Sequence, residues 1–146
     1  MDRISFQNKV KEMSEKNPTL FALETDVKAD IEKIEDIEKH YDIILPEAYK
    51  DFVRQYGGGY FGLVVVYSCD CSGMFYLKDN ISKEWVEEKC FLPVIDLETG
   101  DFLGFEIDAG ICKSKVTLYL HEEVSLQKME LDFYEALLRF GLKCDV

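Results

Sequence analysis

The sequence predicts a single α+β domain, in which an antiparallel β-sheet of about five to six strands is flanked by N-terminal helices and a C-terminal helix. Three observations predict it. Apolar residues recur every three or four positions near the start, β-branched and aromatic segments separated by turn residues fill the middle, and helical spacing returns near the end. The 146 residues fit one domain, 1–146, that is long enough to bury a core.

The chain opens with two predicted helices. The first runs from Asp2 to Lys16, with the aspartate as its N-cap and Asn17-Pro18 as its end. The second runs from Val27 to Tyr41 and carries isoleucines at helical spacing. Asp26 and Asp30 are both candidates for its N-cap, and the sequence does not choose between them.

The rest of the chain is organised around residues 43–61, IILPEAYKDFVRQYGGGYF. Pro46 suits the first turn of a helix because its φ is fixed and it has no amide hydrogen to leave unpaired. The helix ends at Gly57-Gly58-Gly59, where glycine tolerates the left-handed backbone of a C-cap, and a strand follows. Its buried face is predicted to consist of Tyr49, Phe52, Val53 and Tyr56.

A run of short strands occupies the middle of the chain. Strands are predicted at 61–68, 73–77, 90–96, 102–107 and 115–121, with turns at 69–72, 98–101 and 108–113. Residues 78–89 are predicted as a short helix or a loop, 122–126 as a loop, and 127–140 as the last helix. Short connections between the strands make them antiparallel neighbours.

The charge balance limits the classes of partner. Twenty-nine acidic residues against seventeen basic ones give a net charge of −12. Nucleic acid and anionic membrane are therefore not expected as direct ligands, because both bind basic surfaces. The charge suits the steering of a basic partner, although solubility alone would also explain it.

The cysteines and the hydropathy suggest a cytoplasmic protein. The five cysteines are odd in number and no secretory signal is recognisable before them, so reduced thiols in a cytosol are expected. No stretch approaches the ~18 apolar residues that a transmembrane helix needs.

No catalytic residue, metal site or cofactor is predicted. The glycine triplet follows a helix, whereas a phosphate-binding loop precedes one. Cys69-x-Cys71 lacks a second ligand pair for zinc, although a reactive thiol on that turn is an alternative. His121 with Glu122 and Glu123 has no nucleophile motif beside it, and the carboxylate pairs Glu98/Asp101 and Glu106/Asp108 are read as ordinary turn chemistry.

The order and spacing of several motifs carry a family resemblance. The chain resembles the SUKH superfamily of Smi/Knr-type domains over roughly residues 29–142. FLPVIDLETGDFLGFEID at 91–108 is similar to the family's second block, and LDFYEALLRFGL at 131–142 resembles its closing helix. Residues 1–18 lie outside the strong part of this resemblance. The first block is matched by Leu45, Pro46, Tyr49, Phe52, Gly57 and Gly58.

The resemblance implies a binding protein. Such domains resemble immunity proteins of bacterial polymorphic toxin systems, so the leading hypothesis is an antitoxin that occludes a cognate toxin, often a nuclease. The alternative is a regulatory scaffold of the Smi/Knr type without a toxin partner. An enzyme would need a convergent polar site, which the sequence does not show. The sequence leaves the oligomeric state and any small ligand open.

An acidic segment supplies the candidate interface. Residues 79–108 hold nine acids and two lysines, a large share of the net charge, around the single tryptophan. An aromatic anchor ringed by acids suits a tight interface with a basic partner, while a core tryptophan under a solvated surface is the alternative. The predicted partner-binding residues are Asp79, Glu84, Trp85, Glu87, Glu88, Glu98 and Asp101.

Overall fold

A computed structural model describes residues 1–145 and confirms the predicted fold class. The helices within this range are α1 Arg3–Lys16, α2 Ile31–Tyr41, α3 Glu47–Tyr56, α4 Leu77–Asn80, α5 Lys83–Lys89 and α6 Phe133–Ala136, which continues as a π-helical turn over Leu137–Gly141. A 3₁₀ turn spans Pro18–Phe21. The strands are β1 Gly59–Phe61, β2 Val64–Val66, β3 Phe91–Asp96, β4 Phe102–Asp108, β5 Ile111–Cys112, β6 Lys115–Leu120 and β7 Ser125–Asp132.

The predicted helix caps agree well with the structure. Asp2 caps α1 by accepting a hydrogen bond from the backbone amide of Ser5 at 2.7 Å. Asp30, one of the two candidates, caps α2 through the amide of Lys33 at 2.9 Å. The second helix therefore begins four residues later than predicted. The backbone amide of Val27 instead donates a hydrogen bond to the Asp70 carboxylate, so this segment is extended.

The strands form one antiparallel sheet in the order β1-β2-β3-β4-β6-β7, and β5 pairs with β4. The predicted strand at 61–68 is two strands, because Gly62 adopts φ +59° and turns the chain between β1 and β2. The predicted strand at 73–77 is wrong. There the Asp26 carboxylate accepts hydrogen bonds from the Phe75 amide at 3.0 Å and the Ser68 hydroxyl at 2.5 Å, which hold a compact turn.

The last predicted helix is wrong in its first half. Residues 125–132 form β7, which pairs along β6, and the helix begins only at Phe133. Asp132 and Glu135 make a reciprocal capping box that marks this start. The helical spacing of the apolar residues obscured a strand whose outer side faces solvent.

The sheet separates two unequal layers. On one face the helices α1, α2, α3 and α6 bury the main core, in which the Tyr49 and Phe133 rings lie 5.6 Å apart and both approach Phe105 of β4. Leu92 of β3 and Phe105 of β4 are opposite each other in the register. Phe91 lies one residue before Leu92, and Phe102 lies three residues before Phe105. Successive side chains alternate faces, so Phe91 and Phe102 point away from the main core.

No helix in residues 1–145 has both the length and the apolar character of a membrane-spanning helix.

The glycine triplet provides a stability test. Gly57 has φ +86°, and a Cβ atom there would lie 2.2 Å from the backbone oxygen of Asp26. Gly110 has a similar φ of +80°, but its nearest neighbour would be 3.5 Å away. We expect Gly57→Ala to lower the free energy of unfolding by roughly 3 kcal/mol or more, and Gly110→Ala by about 1 kcal/mol.

Urea denaturation followed by circular dichroism measures both variants. Equal losses would show that backbone strain alone, without the clash against Asp26, accounts for the need for glycine at position 57.

Candidate partner-binding site

A groove of about 370 Å³ opens on the sheet face opposite the main core. Its apolar wall consists of Trp85, Pro93, Phe102, Tyr119 and Ile81, and its polar edge includes Asn80, Ser82 and His121. We call this feature the Trp85 groove. Pockets that bind small molecules or cofactors typically have volumes of ~300–1,000 Å³, so the groove lies at the small end of this range.

Cross-strand pairing builds the floor of the Trp85 groove. Phe102 of β4 and Tyr119 of β6 are direct partners in the register, so both rings lie on the same face. The Trp85 indole meets the Tyr119 ring edge to face, with centroids 5.2 Å apart and planes at 87°. It also approaches Phe91 at 6.3 Å. The indole is therefore anchored on one side and open to the groove on the other.

Helix α5 presents the tryptophan because its N-terminus is fixed at two places. The Ser82 hydroxyl caps the helix by accepting from the Trp85 amide at 3.1 Å. The Tyr41 hydroxyl donates to the Ile81 carbonyl at 2.6 Å and ties this point to α2. Val86, one residue on, is buried in the core. The sequence thus folds here into a short helix with Val86 inward and Trp85 on the groove side.

A His–Asp pair lies where the groove meets a neighbouring depression, with His121 lining both and Asp101 only the second. The Asp101 carboxylate oxygen Oδ1 lies 2.6 Å from the His121 Nδ1 and accepts from the His121 amide at 3.0 Å. The His121 ring packs against Gly100, where a Cβ atom would be within 3 Å of it. The His121 amide, and then its ring, hold the pKa of the Asp101 carboxyl below its ordinary value.

Acidic side chains lie beside the Trp85 groove and not in its own lining. A second depression of about 270 Å³ adjoins it through His121 and is lined by Asp101, Glu122 and Glu123. No lysine or arginine lines either depression. The depressions beside α2 and α3 differ, since Lys50 or Arg54 lines them. This aromatic and acidic surface therefore differs in charge from the depressions beside α2 and α3.

The structure brings only some of the predicted partner-binding residues to the groove. Trp85 is half-buried in its wall, and Asp101 lines the adjoining depression that shares His121 with the groove. Glu84 and Glu88 are exposed on α5 one helical turn apart, and Asp79 is exposed on α4.

Two predicted residues lie elsewhere. Glu87 pairs with Lys83 at 3.8 Å and lines a separate depression with Cys90. Glu98, at the β3–β4 turn, faces β1, where its charge raises the pKa of Tyr60.

Several residues of the site are not predicted from the sequence. Phe102 and Tyr119 come together only through the strand register, which residue order does not reveal. Glu122 and Glu123 were considered only beside His121 as parts of a catalytic group. The orienting carboxylate of His121 is Asp101 instead, twenty residues earlier in the chain. The sequence signal that could have found them is the presence of acidic residues in the turns before and after predicted strands.

The described residues give little support for catalysis, metal binding or a reactive thiol. Among residues 1–145, the His121–Asp101 pair has no serine or cysteine within hydrogen-bond distance, and no group of three potential ligands is placed to hold a metal ion. All five cysteines are free, and burial raises the pKa of the Cys69 and Cys112 thiols to about 12. A thiol with so high a pKa is a poor nucleophile.

Comparison with protein families identifies the family of this chain. The family model described as SMI1-KNR4 cell-wall, from the SUKH group, matches residues 31–137. The chain belongs to the SUKH superfamily. A search of curated proteins found no match. The predicted family is thereby confirmed, and its domain includes α2 to α6 and every strand of the sheet.

The first helix of this SUKH protein lies before the matched range but shares its core. Phe6 of α1 is buried and stacks on Tyr134 of α6 with ring centroids 4.4 Å apart. It also approaches Phe61 of β1 at 6.0 Å. Helix α1 is thus an integral part of the packed domain described here.

The His121–Asp101 pair gives a titration test. The folded-state pKa of Asp101 is lowered, so the pair's stabilising effect is present above the unfolded-state pKa, about 3.9, and is lost as the pH falls through the folded-state pKa. We expect His121→Ala to raise the Asp101 pKa towards its ordinary value without reaching it, because the backbone amide of residue 121 still donates.

Carboxyl carbon shifts in an NMR titration measure this pKa. His40→Ala is the matched control, because it removes the other histidine, which packs beside Tyr41 on α2. An Asp101 pKa that does not respond to His121→Ala, or responds equally to both variants, would contradict the assignment.

Proposed function

We propose that this SUKH protein is an immunity protein that binds the toxic domain of a bacterial polymorphic toxin, a nuclease, and blocks its basic cleft. The observation that carries the proposal is the Trp85 groove, whose aromatic floor adjoins an acidic depression, with no lysine or arginine lining either of them. The family membership supports a protein-binding role. A cytoplasmic site of action is part of the same proposal.

The proposed mechanism is steric and electrostatic occlusion. A nuclease holds the phosphates of its substrate with lysine and arginine, so its cleft is basic. The net charge of −12 attracts such a cleft over a distance, and this attraction raises the association rate. Trp85 would then anchor the complex by burying its open side. The chain itself performs no reaction in this scheme.

The contact surface extends beyond the groove. A typical stable interface covers about 800 Å² of each partner, which a single groove does not supply. Exposed acids lie on α4 and α5, which contribute to the groove, and after β6: Asp79, Glu84 and Glu88, and Glu122 and Glu123. We propose these as the polar rim. Glu87 and Glu98 point to neighbouring surfaces and contribute mainly to the long-range field.

A second candidate is a regulatory scaffold of the Smi/Knr type, which the cell-wall description of the matching family favours. A scaffold would hold several partners in substoichiometric amounts. An immunity protein would hold one partner in a stoichiometric complex. The two candidates therefore differ in the composition of the bound fraction.

The test begins with capture of partners by the tagged full chain from its native lysate at ~0.1 M and ~0.5 M salt. The captured protein's basic domain is then expressed alone in a host cell, with and without this chain. The proposal expects killing alone, survival on co-expression and loss of nuclease activity in the purified complex. A captured domain that is harmless alone, or an array of substoichiometric partners, would contradict it.

Charge reversal locates the interface on the captured complex. We expect Glu84→Lys/Glu88→Lys and Glu122→Lys/Glu123→Lys each to weaken binding by roughly 10-fold or more, mainly through slower association, because they place positive charge beside the Trp85 groove. Glu32→Lys/Glu35→Lys is the matched control, since it reverses two exposed acids on α2.

Surface plasmon resonance at two salt concentrations measures these rates. A control variant that weakens binding as much as the two groove variants would show that total charge, and not this surface, determines recognition. Glu87→Lys is expected to have a smaller effect than either groove pair, because Glu87 lines a separate depression.

A further inference from the structure

We propose that the Trp85 groove accepts an arginine side chain of the partner, with the guanidinium between the aromatic floor and the Asp101 carboxylate. The inference rests on the proposed function for the identity of the partner, and it names the group that the groove recognises. It is drawn from the shape, polarity and charge of the groove.

The floor suits a flat cation. The Trp85 and Tyr119 rings stand at 87° to each other and form an aromatic corner, with the Phe102 ring on the neighbouring strand. A guanidinium stacks on such rings because it is planar and weakly hydrated, and its charge is attracted to the face of the indole. The apolar wall, which includes Pro93, suits the three methylene groups behind it.

The depression that adjoins the groove at His121 suits a hydrogen-bond donor. Oδ1 of Asp101 already accepts from the His121 amide and ring. Within residues 1–145, Oδ2 of Asp101 accepts no hydrogen bond from the protein, and the side chain is 24% exposed. An ionised carboxylate held in place with one free oxygen is pre-oriented for a charge-assisted bond.

Other occupants fit less well. An anionic group would meet Asp101, Glu122 and Glu123 with no cationic side chain in either depression to offset them. A purely apolar side chain would cover the Asp101 carboxylate and leave its free oxygen without a partner, which costs free energy. Lysine has a compact and strongly hydrated charge that stacks less well on aromatic rings. Arginine satisfies both the floor and the carboxylate.

The chain offers its own reporter for this binding. Trp85 is the only tryptophan, so indole fluorescence reports on the groove alone. The probes are three blocked tripeptides, glycine-X-glycine with acetyl and amide ends, in which X is arginine, lysine or citrulline. Citrulline keeps the shape of arginine but carries no charge. We expect a saturable change in Trp85 emission with the arginine peptide at around millimolar concentration, as suits one side chain.

The comparison between probes decides the chemistry. We expect the lysine peptide to bind several-fold more weakly than arginine, and citrulline at least ~10-fold more weakly. Amide shifts in an NMR titration should be confined to residues near Trp85, Phe102 and Tyr119. Equal responses to arginine and citrulline, shifts located elsewhere, or no saturable response to arginine up to ~20 mM would each overturn the proposal.

Matched variants test the carboxylate. Asp101→Asn removes the charge but retains an oxygen that accepts hydrogen bonds, and we expect it to weaken the arginine peptide by roughly 10-fold. Glu32→Gln removes the same charge on α2 and should leave the affinity unchanged. If Asp101→Asn does not fold, Glu122→Gln/Glu123→Gln is the second variant, with an expected loss of about three-fold. Unchanged affinity in the folded variants would overturn the proposal.

The test of arginine binding can succeed or fail independently of the test of the proposed function. A toxic domain that is captured and neutralised, while the arginine peptide gives no saturable response, overturns the arginine site and leaves the immunity function standing. An arginine response without any neutralised toxin supports the site and removes the proposed function. Where both succeed, replacing exposed arginines of the partner one at a time with lysine should identify a single position with a large loss.

Discussion

The fold depends on how Tyr49 joins helix α3 to the sheet. Its ring lies between Phe105 of β4 and Phe133 of α6, and its hydroxyl donates to the Tyr67 carbonyl at 2.6 Å from a fully buried position. Burial raises the pKa of this tyrosine well above its ordinary value, so it remains a neutral donor. One side chain thus fills the centre of the core and holds the backbone that leaves β2.

That connection extends to the functional side of the molecule. The Tyr67 hydroxyl donates to the Asp96 carboxylate at 3.2 Å, and Asp96 in turn accepts from the Glu98 amide at 2.7 Å. These bonds order the β3–β4 turn that ends at Asp101. A short chain of hydrogen bonds therefore links the core to the turn that carries the half-buried Asp101, which suits a preformed binding site.

The sheet gives the domain two faces with different roles. The face under α1, α2, α3 and α6 is filled by aromatic and aliphatic side chains and provides stability. On the other face the Trp85 groove leaves aromatic side chains of α5, β4 and β6 partly uncovered. An incompletely covered aromatic surface costs stability but leaves a place for a partner to dock. The acids around it keep this surface soluble and restrict which partners can approach.

How much the sequence predicts differs between fold and site. The caps of α1 and α2, the Pro46 helix and most central strands follow from local chemistry, because capping and periodicity act over a few residues. Residues 73–77 and 127–132 were predicted wrongly, because the bonds to Asp26 and the pairing with β6 override the local pattern.

Residue order alone is enough to predict the family, the α+β class and an acidic segment around Trp85. Which acids lie near that tryptophan depends on the packing of the whole domain. Asp101 meets His121 across twenty residues, and Phe102 meets Tyr119 through the register of two strands. Register and hairpin geometry depend on the whole packed sheet, so a groove assembled from five separate elements is encoded by the fold and not by any one segment.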